Sequence, residues 1–148
     1  MKIKVINGPN MNMLGIREPD IYGSVSYDGL CKIISAHALD IGVEVSFFQS
    51  NSEGAIIDCI HSCYFDGYDG IVINPAAYTH YSYAIYDAIK TVALPAIEVH
   101  ISDISSRESF RHESVIVGAC AAQVAGKGIE GYNIALDILK DCGDNRHE

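Results

Sequence analysis

Residues 95–111 bring together side chains that can carry out acid–base chemistry and bind an anion. A short apolar run that contains Glu98 is typical of a buried strand, and it ends at His100. Small polar residues follow, and then Arg107 and Arg111, which would share one face if the segment were helical, because they are four residues apart. Ligands of open α/β sheets bind beyond the carboxyl ends of the strands, so this strand end is a candidate site.

A purely structural explanation accounts for this stretch about equally well. A histidine at the end of a strand is often a hydrogen-bonded core residue, and a pair of arginines is often part of a solvated surface. The distribution of arginine favours a site, because the chain has only four and a third, Arg17, lies in the one other stretch with a site-like composition. In a chain with a net charge of −9, clustered arginines indicate a local anion pocket.

Composition restricts the classes of function. The 148 residues are enough for one domain with a hydrophobic core. No apolar run approaches the ~20 residues of a membrane span and no signal peptide is visible, so we expect a cytoplasmic protein. An acidic chain is a poor candidate for binding nucleic acid or membranes. The five cysteines show no CxxC and lie mostly in apolar patterns, which is typical of reduced core thiols and not of a zinc site.

Strand-like apolar runs alternate with helix-like segments along the chain. The predicted strands are residues 2–6, 43–48, 71–73, 95–99 and 119–125. The predicted helices are residues 26–41, 50–64, 81–92 and 128–140, with Ser26 and Gly42 as the start and stop signals of the first. This order predicts an α/β fold, a flavodoxin-like, doubly wound, five-stranded parallel sheet with helices on both faces. Residues 1–148 would form a single catalytic domain with a polar tail at about 141–148.

The segment at about 11–25 is too long for an ordinary connection between a strand and a helix. Loops of this length are usually functional lids or disordered, so we expect a lid. Tyr22 taken alone is better explained as a packing residue, since the chain has nine tyrosines. Beside Arg17, however, a phenol would be favoured as its phenolate. Lowering a tyrosine pKa from ~10 to ~7 needs about 4 kcal/mol, which one or two arginines in a dry pocket can supply.

The loops after the first, third and fourth predicted strands should meet at one rim of the sheet. They carry the polar side chains Asn7, Asn10, Asn74, His80, Glu98, His100 and Ser102. The stretch 126–131 matches the G-x-G-x-x-G pattern of dinucleotide-binding sites, but it follows the last strand, so no second strand can supply the acidic partner. We therefore interpret that pattern as a tight turn and a helix start.

Several stretches, in order along the chain, resemble the signatures of type II 3-dehydroquinate dehydratases. They are residues 7–15, Arg17-Glu18-Pro19 with Tyr22-Gly23, residues 49–54, Ile73-Asn74-Pro75 with Thr79-His80, residues 98–102 with Arg107, Phe110 and Arg111, and residues 128–132. The resemblance covers about residues 3–140. The chain has Met11 and Met13 where the family usually has Leu, a volume-conserving change. It has Asp103 where the family usually has Asn, which adds negative charge near the anion pocket.

The resemblance implies a hydro-lyase that removes water from 3-dehydroquinate, with no metal or organic cofactor. It implies a homo-oligomer, a dodecamer built of trimers, acting in aromatic amino-acid biosynthesis or in quinate breakdown. The implied catalytic residues are Tyr22 as base, Arg17 as transition-state stabiliser, Asn10 as holder of a water, His100 as general acid and Glu98 as its orienting partner. The implied substrate-binding residues are Asn74, His80, Ile101, Ser102, Arg107, Arg111 and Asp87, the last reaching into a neighbouring subunit's site.

Two rival functions occur on sheets of this size. A flavin-binding module would need a Ser/Thr/Gly-rich phosphate loop after the first strand, and residues 7–10, Asn-Gly-Pro-Asn, do not form one. A phosphoacceptor receiver domain would need acidic residues after the first strand and an Asp at the end of the third, where this chain has Asn7 and Asn74.

Overall fold

The structure, a computed structural model, describes residues 1–16 and 18–144, and for Tyr22 it describes the backbone alone. Arg17 and the end of the predicted polar tail, residues 145–148, lie outside the described residues. The strands are β1 (Lys2–Asn7), β2 (Glu44–Gln49), β3 (Gly70–Asn74), β4 (Ala96–His100) and β5 (Ala122–Ala125). The helices are α1 (Pro19–Tyr22), α2 (Tyr27–Asp40), α3 (Glu53–Phe65), α4 (Tyr83–Val92) and α5 (Glu130–Asp144).

The five strands form one parallel sheet in the order β2-β1-β3-β4-β5. This is the flavodoxin-like strand order, so the predicted fold class is confirmed. The chain first adds β2 on one side of β1 and then returns to add β3 on the other side. The order therefore reverses between β1 and β3, and open α/β sheets bind their ligands in the crevice at such a point.

Helices cover both faces of the sheet because successive side chains of a strand point to opposite faces. Val5 belongs to the core under α2 and α5, whereas Ile6 belongs to the core under α3 and α4. Strand β3 is buried along its whole length, as its continuous apolar run predicts for a central strand. Within the described residues, none of the helices has both the length and the apolar character that crossing a bilayer requires.

Serine side chains define where three of the helices begin. Ser26, Ser52 and Ser82 each accept a hydrogen bond from the backbone N–H three residues further on, at the N-termini of α2, α3 and α4. Such a cap stabilises a helix by about 1 kcal/mol. The predicted start at Ser26 is confirmed, while α4 begins at Tyr83 and not at residue 81 because Ser82 is the capping residue.

Two local features are left open by the sequence pattern, and one strand start is misplaced. The segment 11–25 is not one irregular loop, because it contains a 3-10 turn at Met11–Met13 and the short helix α1, and it buries the side chains of Met11 and Leu14. No helix joins the two arginines of 95–111; Ile104–Ser106 and Ser109–Arg111 are separate 3-10 turns. Strand β5 begins at residue 122 instead of 119, because the preceding apolar residues form a turn that packs on the core next to α4.

A local cause explains why the segment before Arg107 forms a short turn and not a helix. The carboxylate of Asp103 accepts hydrogen bonds from the backbone N–H and the hydroxyl of Ser105, at 3.0 and 2.6 Å. Side chains of this kind compete with helical backbone bonds and favour short turns. Asp103 therefore caps the turn that follows it, and that turn is one 3-10 turn long.

Candidate active site

The carboxyl ends of β1, β3 and β4 surround a cavity of about 230 Å³. It lies at the point where the strand order reverses, between the loops that follow β1 and β3. The predicted site residues that line it are Asn10, Asn74, His80, His100, Ile101, Ser102, Arg107 and Arg111. Residues that are far apart in the sequence therefore meet at one rim, as the strand-end argument predicts.

The other predicted site residues lie elsewhere or outside the described residues. Glu98 is fully buried beneath the cavity and reaches it through His100. Asp87 is exposed on α4 and is not among the residues that line this cavity in the part of the chain the structure describes. Arg17 lies outside the described residues, and so does the side chain of Tyr22, although the backbone of Tyr22 ends helix α1.

Glu98 and His100 form a buried pair at the end of β4. Their side chains project to the same face of the sheet because they are two residues apart on a strand. Nε2 of His100 lies 2.6 Å from Oε1 of Glu98, and only 5% of the surface of His100 is exposed. A carboxylate can only accept this bond, so Nε2 carries the proton and Nδ1 is the ring nitrogen that remains for other chemistry.

The carboxylate of Glu98 accepts hydrogen bonds from three further side chains. The hydroxyl of Thr79 donates to Oε1, Oγ of Ser114 lies 2.8 and 2.9 Å from the two carboxylate oxygens, and Nε2 of Gln123 lies 3.1 Å from Oε2. Burial raises the pKa of Glu98, but the hydrogen bond and charge of His100 and the Thr79 and Ser114 hydroxyls outweigh it and hold that pKa below the usual value. Glu98 is therefore an ionised acceptor at neutral pH.

His80 is oriented by the backbone of a neighbouring loop. Its Nδ1 lies 2.6 Å from the carbonyl oxygen of Glu113, which can only accept a hydrogen bond, so Nδ1 carries the proton. The neighbouring N–H of Val115 donates to the carbonyl of Thr79 at 2.8 Å, which holds the two segments together. In consequence, His80 can offer the lone pair of Nε2 to a ligand.

Asn74 is fixed by a buried hydroxyl from α5. Its side-chain amide donates to Oη of Tyr132 at 2.9 Å, and the Tyr132 hydroxyl donates to Oδ1 of Asn7 at 2.6 Å. Asn7 and Asn74 are register partners at the ends of β1 and β3, so one phenol can join them. Oδ1 of Asn74 accepts from the N–H of Ala76 at 3.1 Å and keeps one lone pair for a ligand.

Next to the cavity, the loops after β1 and β3 approach each other closely at Gly8. Its backbone N–H donates to the carbonyl of Asn74 at 2.8 Å. A Cβ atom at this position would lie 2.5 Å from the carbonyl oxygen of Pro75, closer than atoms can pack. Only glycine fits here, which gives this residue of the N-terminal motif a packing role beside the site.

Positive charge enters the site from the two 3-10 turns after β4. Nη1 of Arg107 lies 3.4 Å from Oγ of Ser102, and Nη2 lies 3.9 Å from Oε2 of Glu18. Nε of Arg111 lies 3.0 Å from Oε2 of Glu108, and its guanidinium carbon lies 4.8 Å from the centre of the Phe110 ring. The arginines thus supply cationic donors to a chain that is strongly acidic overall, as their clustering predicts.

The glycines of the G-x-G-x-x-G pattern support the backbone of the site. The N–H groups of Gly126 and Gly128 donate to the carbonyls of Ser102 and Ile101, both at 3.1 Å, and both glycines have positive φ. A Cβ on Gly126 would lie 3.1 Å from Cβ of Asp103. The interpretation of this pattern as a tight turn before a helix is confirmed, since α5 begins at Glu130.

The described residues contain no group of three or more His, Cys, Asp or Glu side chains that could hold a metal ion. What they do bring together is a buried histidine–carboxylate pair, a second oriented imidazole, a fixed amide and two guanidinium groups. This combination can bind a polar anion and transfer a proton. It suits acid–base chemistry on a hydroxylated carboxylate.

Four residues of this arrangement are missed by the sequence reasoning about the site: Thr79, Ser114, Gln123 and Tyr132. Thr79 is adjacent to His80, and Gln123 is the polar residue of an otherwise apolar strand, so both give a weak signal. Tyr132 ends the family signature at residues 128–132, but nothing in the sequence indicates its contact with Asn74. Ser114 gives no signal, because its partner Glu98 is distant in sequence.

Comparisons with known proteins identify the family of this chain. The family described as Dehydroquinase class II matches residues 1–140. A 3-dehydroquinate dehydratase of Caldicellulosiruptor bescii is 62% identical over 143 residues, which are 97% of this chain and 99% of that protein. The type II dehydroquinase structure from Butyrivibrio crossotus superposes with a TM-score of 0.93 at 55% identity, covering 95% of this chain and 97% of that one. The corresponding structure from Propionibacterium acnes gives 0.91 at 42% identity, with 95% and 96% covered.

Proposed function

Because this chain belongs to the dehydroquinase class II family, we propose that it removes water from 3-dehydroquinate to give 3-dehydroshikimate. The observation that carries the proposal is the His100–Glu98 pair at the edge of a polar cavity that also contains Asn74, His80 and Arg111. An elimination next to a ketone needs a base for the α-proton, a donor for the enolate oxygen, an acid for the leaving hydroxyl and an anchor for the carboxylate. The cavity offers candidates for the last three.

His100 is proposed as the general acid. Nε2 of His100 donates to Glu98, so the proton transferred to the C1 hydroxyl would come from Nδ1, as the C–O bond breaks and water leaves. Glu98 accepts a hydrogen bond from Nε2 and so fixes the orientation of the ring before this step. A well-placed general acid contributes about 10²–10⁴-fold to the rate, so positioning and stabilisation of the enolate must supply the rest.

Tyr22 is proposed as the base and Arg17 as the group that favours its phenolate. The support for both is the resemblance of their motif to the family signature. The phenolate would take a proton from C2 and leave an enolate. Asn10, which lines the cavity, would hold a water against the enolate oxygen, where a preorganised donor stabilises the developing charge.

The substrate is proposed to be held by the remaining residues of the rim. The backbone N–H groups of Ile101 and Ser102 would bind its carboxylate. The available lone pairs of Asn74 and His80 suit hydroxyl donors, and Arg111 would donate to a hydroxyl oxygen. Arg107 would be a second cation of the lid, and its contact with Glu18 is consistent with that position.

Assembly and cellular role complete the proposal. We expect a homododecamer built of trimers, in which Asp87 reaches into a neighbouring subunit's site; its exposure on α4 is compatible with such a contact. We expect the protein to be cytoplasmic, to use no cofactor and to act in the shikimate pathway or in quinate metabolism. The single catalytic domain would comprise residues 1–148, and the segment 11–25 would close over bound substrate as a lid.

An absorbance assay tests the proposed reaction. The product contains a conjugated enone and the substrate does not, so ultraviolet absorbance should rise when 3-dehydroquinate is added to the wild-type protein. His100→Ala should keep the fold and lose about 10²–10⁴-fold in kcat, the contribution of a general acid. Absence of an absorbance rise with the wild-type protein would refute the proposed function, and near-normal turnover by His100→Ala would exclude its role as the acid.

A further inference from the structure

One short segment, residues 113–115, contacts His80 directly and also contacts Glu98, the partner of His100. The Glu113 carbonyl accepts from Nδ1 of His80 at 2.6 Å. The Ser114 hydroxyl lies within 2.9 Å of both oxygens of Glu98, the partner of His100. The segment is attached to the loop after β3 by the bond from the N–H of Val115 to the carbonyl of Thr79.

The direction of the Ser114 hydrogen bond follows from the donors around it. The N–H of Val117 donates to Oγ of Ser114 at 3.1 Å, so this oxygen already accepts one bond. The single proton of the Thr79 hydroxyl goes to Oε1 of Glu98. The proton of Ser114 is therefore directed at the Glu98 carboxylate, which can only accept. Ser114 is a donor to Glu98, and its own position is set by the turn that follows it.

The two imidazoles have opposite protonation patterns as a result. Hydrogen bonds to a carbonyl and to a carboxylate place a proton on Nδ1 of His80 and on Nε2 of His100. The ring nitrogen that remains is Nε2 in His80 and Nδ1 in His100. For His100 the protonation pattern depends on the position of the Glu98 carboxylate. If that carboxylate could rotate freely, the His100 ring could turn or move its proton to the other nitrogen.

We propose that Ser114 is a positioning residue for the elimination, acting through Glu98 to keep Nδ1 of His100 directed at the leaving hydroxyl. This inference rests on the proposed function. In the reacting form the His100 ring carries a proton on each nitrogen. The electron pair of the enolate then forms the C=C bond, the C–O bond breaks, the departing oxygen takes the proton of Nδ1 and leaves as water, and the neutral ring keeps the Nε2–H that faces Glu98. Ser114 contacts neither the proton nor the substrate, and its contribution is the fixed orientation of the acid.

The kinetic test compares Ser114→Ala with Ser114→Thr, which keeps the hydroxyl. Ser114→Ala should lose about tenfold in kcat, the factor expected for one hydrogen bond to a charged group, with KM changed less than about twofold. Ser114→Thr should recover most of the loss. The matched control is Ser62→Ala, which removes a half-buried hydroxyl that donates to the Cys59 carbonyl on α3, away from the site, and should keep wild-type kcat.

Coupling to Glu98 separates positioning from a general effect on the fold. If Ser114 acts through Glu98, adding Ser114→Ala to Glu98→Gln should cost little further kcat, whereas independent effects would multiply. The near-isosteric Ser114→Cys has a weaker donor and serves if the alanine variant does not fold; its kcat should fall in the same direction. Multiplying effects, or wild-type kcat in Ser114→Ala or Ser114→Cys, would overturn the inference.

A measurement without substrate makes the two proposals independent. Nitrogen-15 NMR of the histidine rings distinguishes Nδ1–H from Nε2–H. His100 should show Nε2–H in the wild-type protein and a mixed pattern in Ser114→Ala, while His80 stays Nδ1–H. A wild-type protein that does not convert 3-dehydroquinate would refute the proposed function, whereas an unchanged His100 pattern in Ser114→Ala would refute the role of Ser114.

Discussion

Replacing Glu98 with glutamine removes one charge from a fully buried position and changes little else. The carboxylate accepts bonds from His100, Thr79, Ser114 and Gln123. The new amide must turn its oxygen towards His100 and Thr79, because both are donors there. Its NH₂ group then faces Ser114 and Gln123, whose hydroxyl and amide can reorient to accept.

The expected loss of stability follows from these contacts. A hydrogen bond to a charged group contributes about 1.5–3 kcal/mol and a neutral one about 0.5–1.5 kcal/mol, so each bond to the new amide is weaker by about 1 kcal/mol. Four donors set an upper limit of about 4 kcal/mol, and relief of the burial of a charge offsets part of it. We therefore expect Glu98→Gln to lower the free energy of unfolding by about 2 kcal/mol at pH 7.

The pH dependence has a definite sign. The pKa of Glu98 in the folded protein lies below its usual value, while in the unfolded chain it is about 4.3. A lowered folded pKa contributes stability that is present above the unfolded pKa and is lost as the pH falls through the folded pKa. The advantage of the wild-type protein over Glu98→Gln should thus be complete at pH 7 and shrink below about pH 4.

Two measurements on the same variant check this reasoning. Urea unfolding at pH 7 and at about pH 3.5 gives the difference in unfolding free energy between wild type and Glu98→Gln at each pH. The enone assay should show kcat reduced by about 10- to 100-fold, because His100 keeps its place but loses its charged partner. A pH-independent difference in stability, or a kcat within about twofold of wild type, would refute the role assigned to the buried carboxylate.

Three further substitutions test the support around the site. Tyr132→Phe removes the hydroxyl that joins Asn7 and Asn74 and should lower the free energy of unfolding by about 1–2 kcal/mol. KM should rise, because Asn74 loses its fixed orientation. An unchanged KM would contradict this role of Tyr132. Burial raises the pKa of Tyr132, so the unfolded chain loses the phenol proton more readily than the folded protein does. Above about pH 10 the wild-type protein should therefore lose stability, and the difference in unfolding free energy between wild type and Tyr132→Phe should become smaller. Gly8→Ala should lower the free energy of unfolding by more than about 2 kcal/mol and abolish most activity, because its Cβ would meet Pro75. The control Gly54→Ala, on an open surface of α3, should leave the stability nearly unchanged. Equal melting temperatures for the two variants would refute the packing argument. Asp103→Asn keeps an oxygen that accepts from Ser105 and removes the negative charge of a carboxyl group whose pKa those hydrogen bonds lower. KM for the anionic substrate should therefore fall by up to about twofold, with kcat unchanged. A rise in KM would show that the charge does not oppose substrate binding.

The fold was predictable because its signals are local. Alternating apolar runs and helix-like segments identify all five strands and locate the four longer helices to within a few residues, and Ser26 marks the start of α2. The rim of the site was predictable for a related reason, since parallel strands end at one edge of the sheet. Asn74, His80 and His100 therefore meet although they belong to different strand–loop connections.

The remaining features depend on contacts that one sequence does not reveal. Thr79, Ser114 and Gln123 come from three separate elements, and only the folded register brings them to Glu98. The arginine pair does not lie on one helix, because Asp103 forms side-chain bonds that favour a short turn over a helix. Burial of Met11 and Leu14 in the predicted lid likewise depends on the tertiary structure, since nothing in the spacing of the segment 11–25 predicts a periodic element.

The proposed elimination is tested at its first step by Tyr22→Phe, which removes one oxygen atom and keeps the ring. Substrate binding and turnover of 3-dehydroquinate should be measured on the same preparation, with the wild-type protein as reference. We predict near wild-type affinity and a kcat lowered by at least about 10²-fold, because the variant has no phenolate to take the proton from C2. A Tyr22→Phe protein that forms the conjugated enone at a near-normal rate would contradict the mechanism.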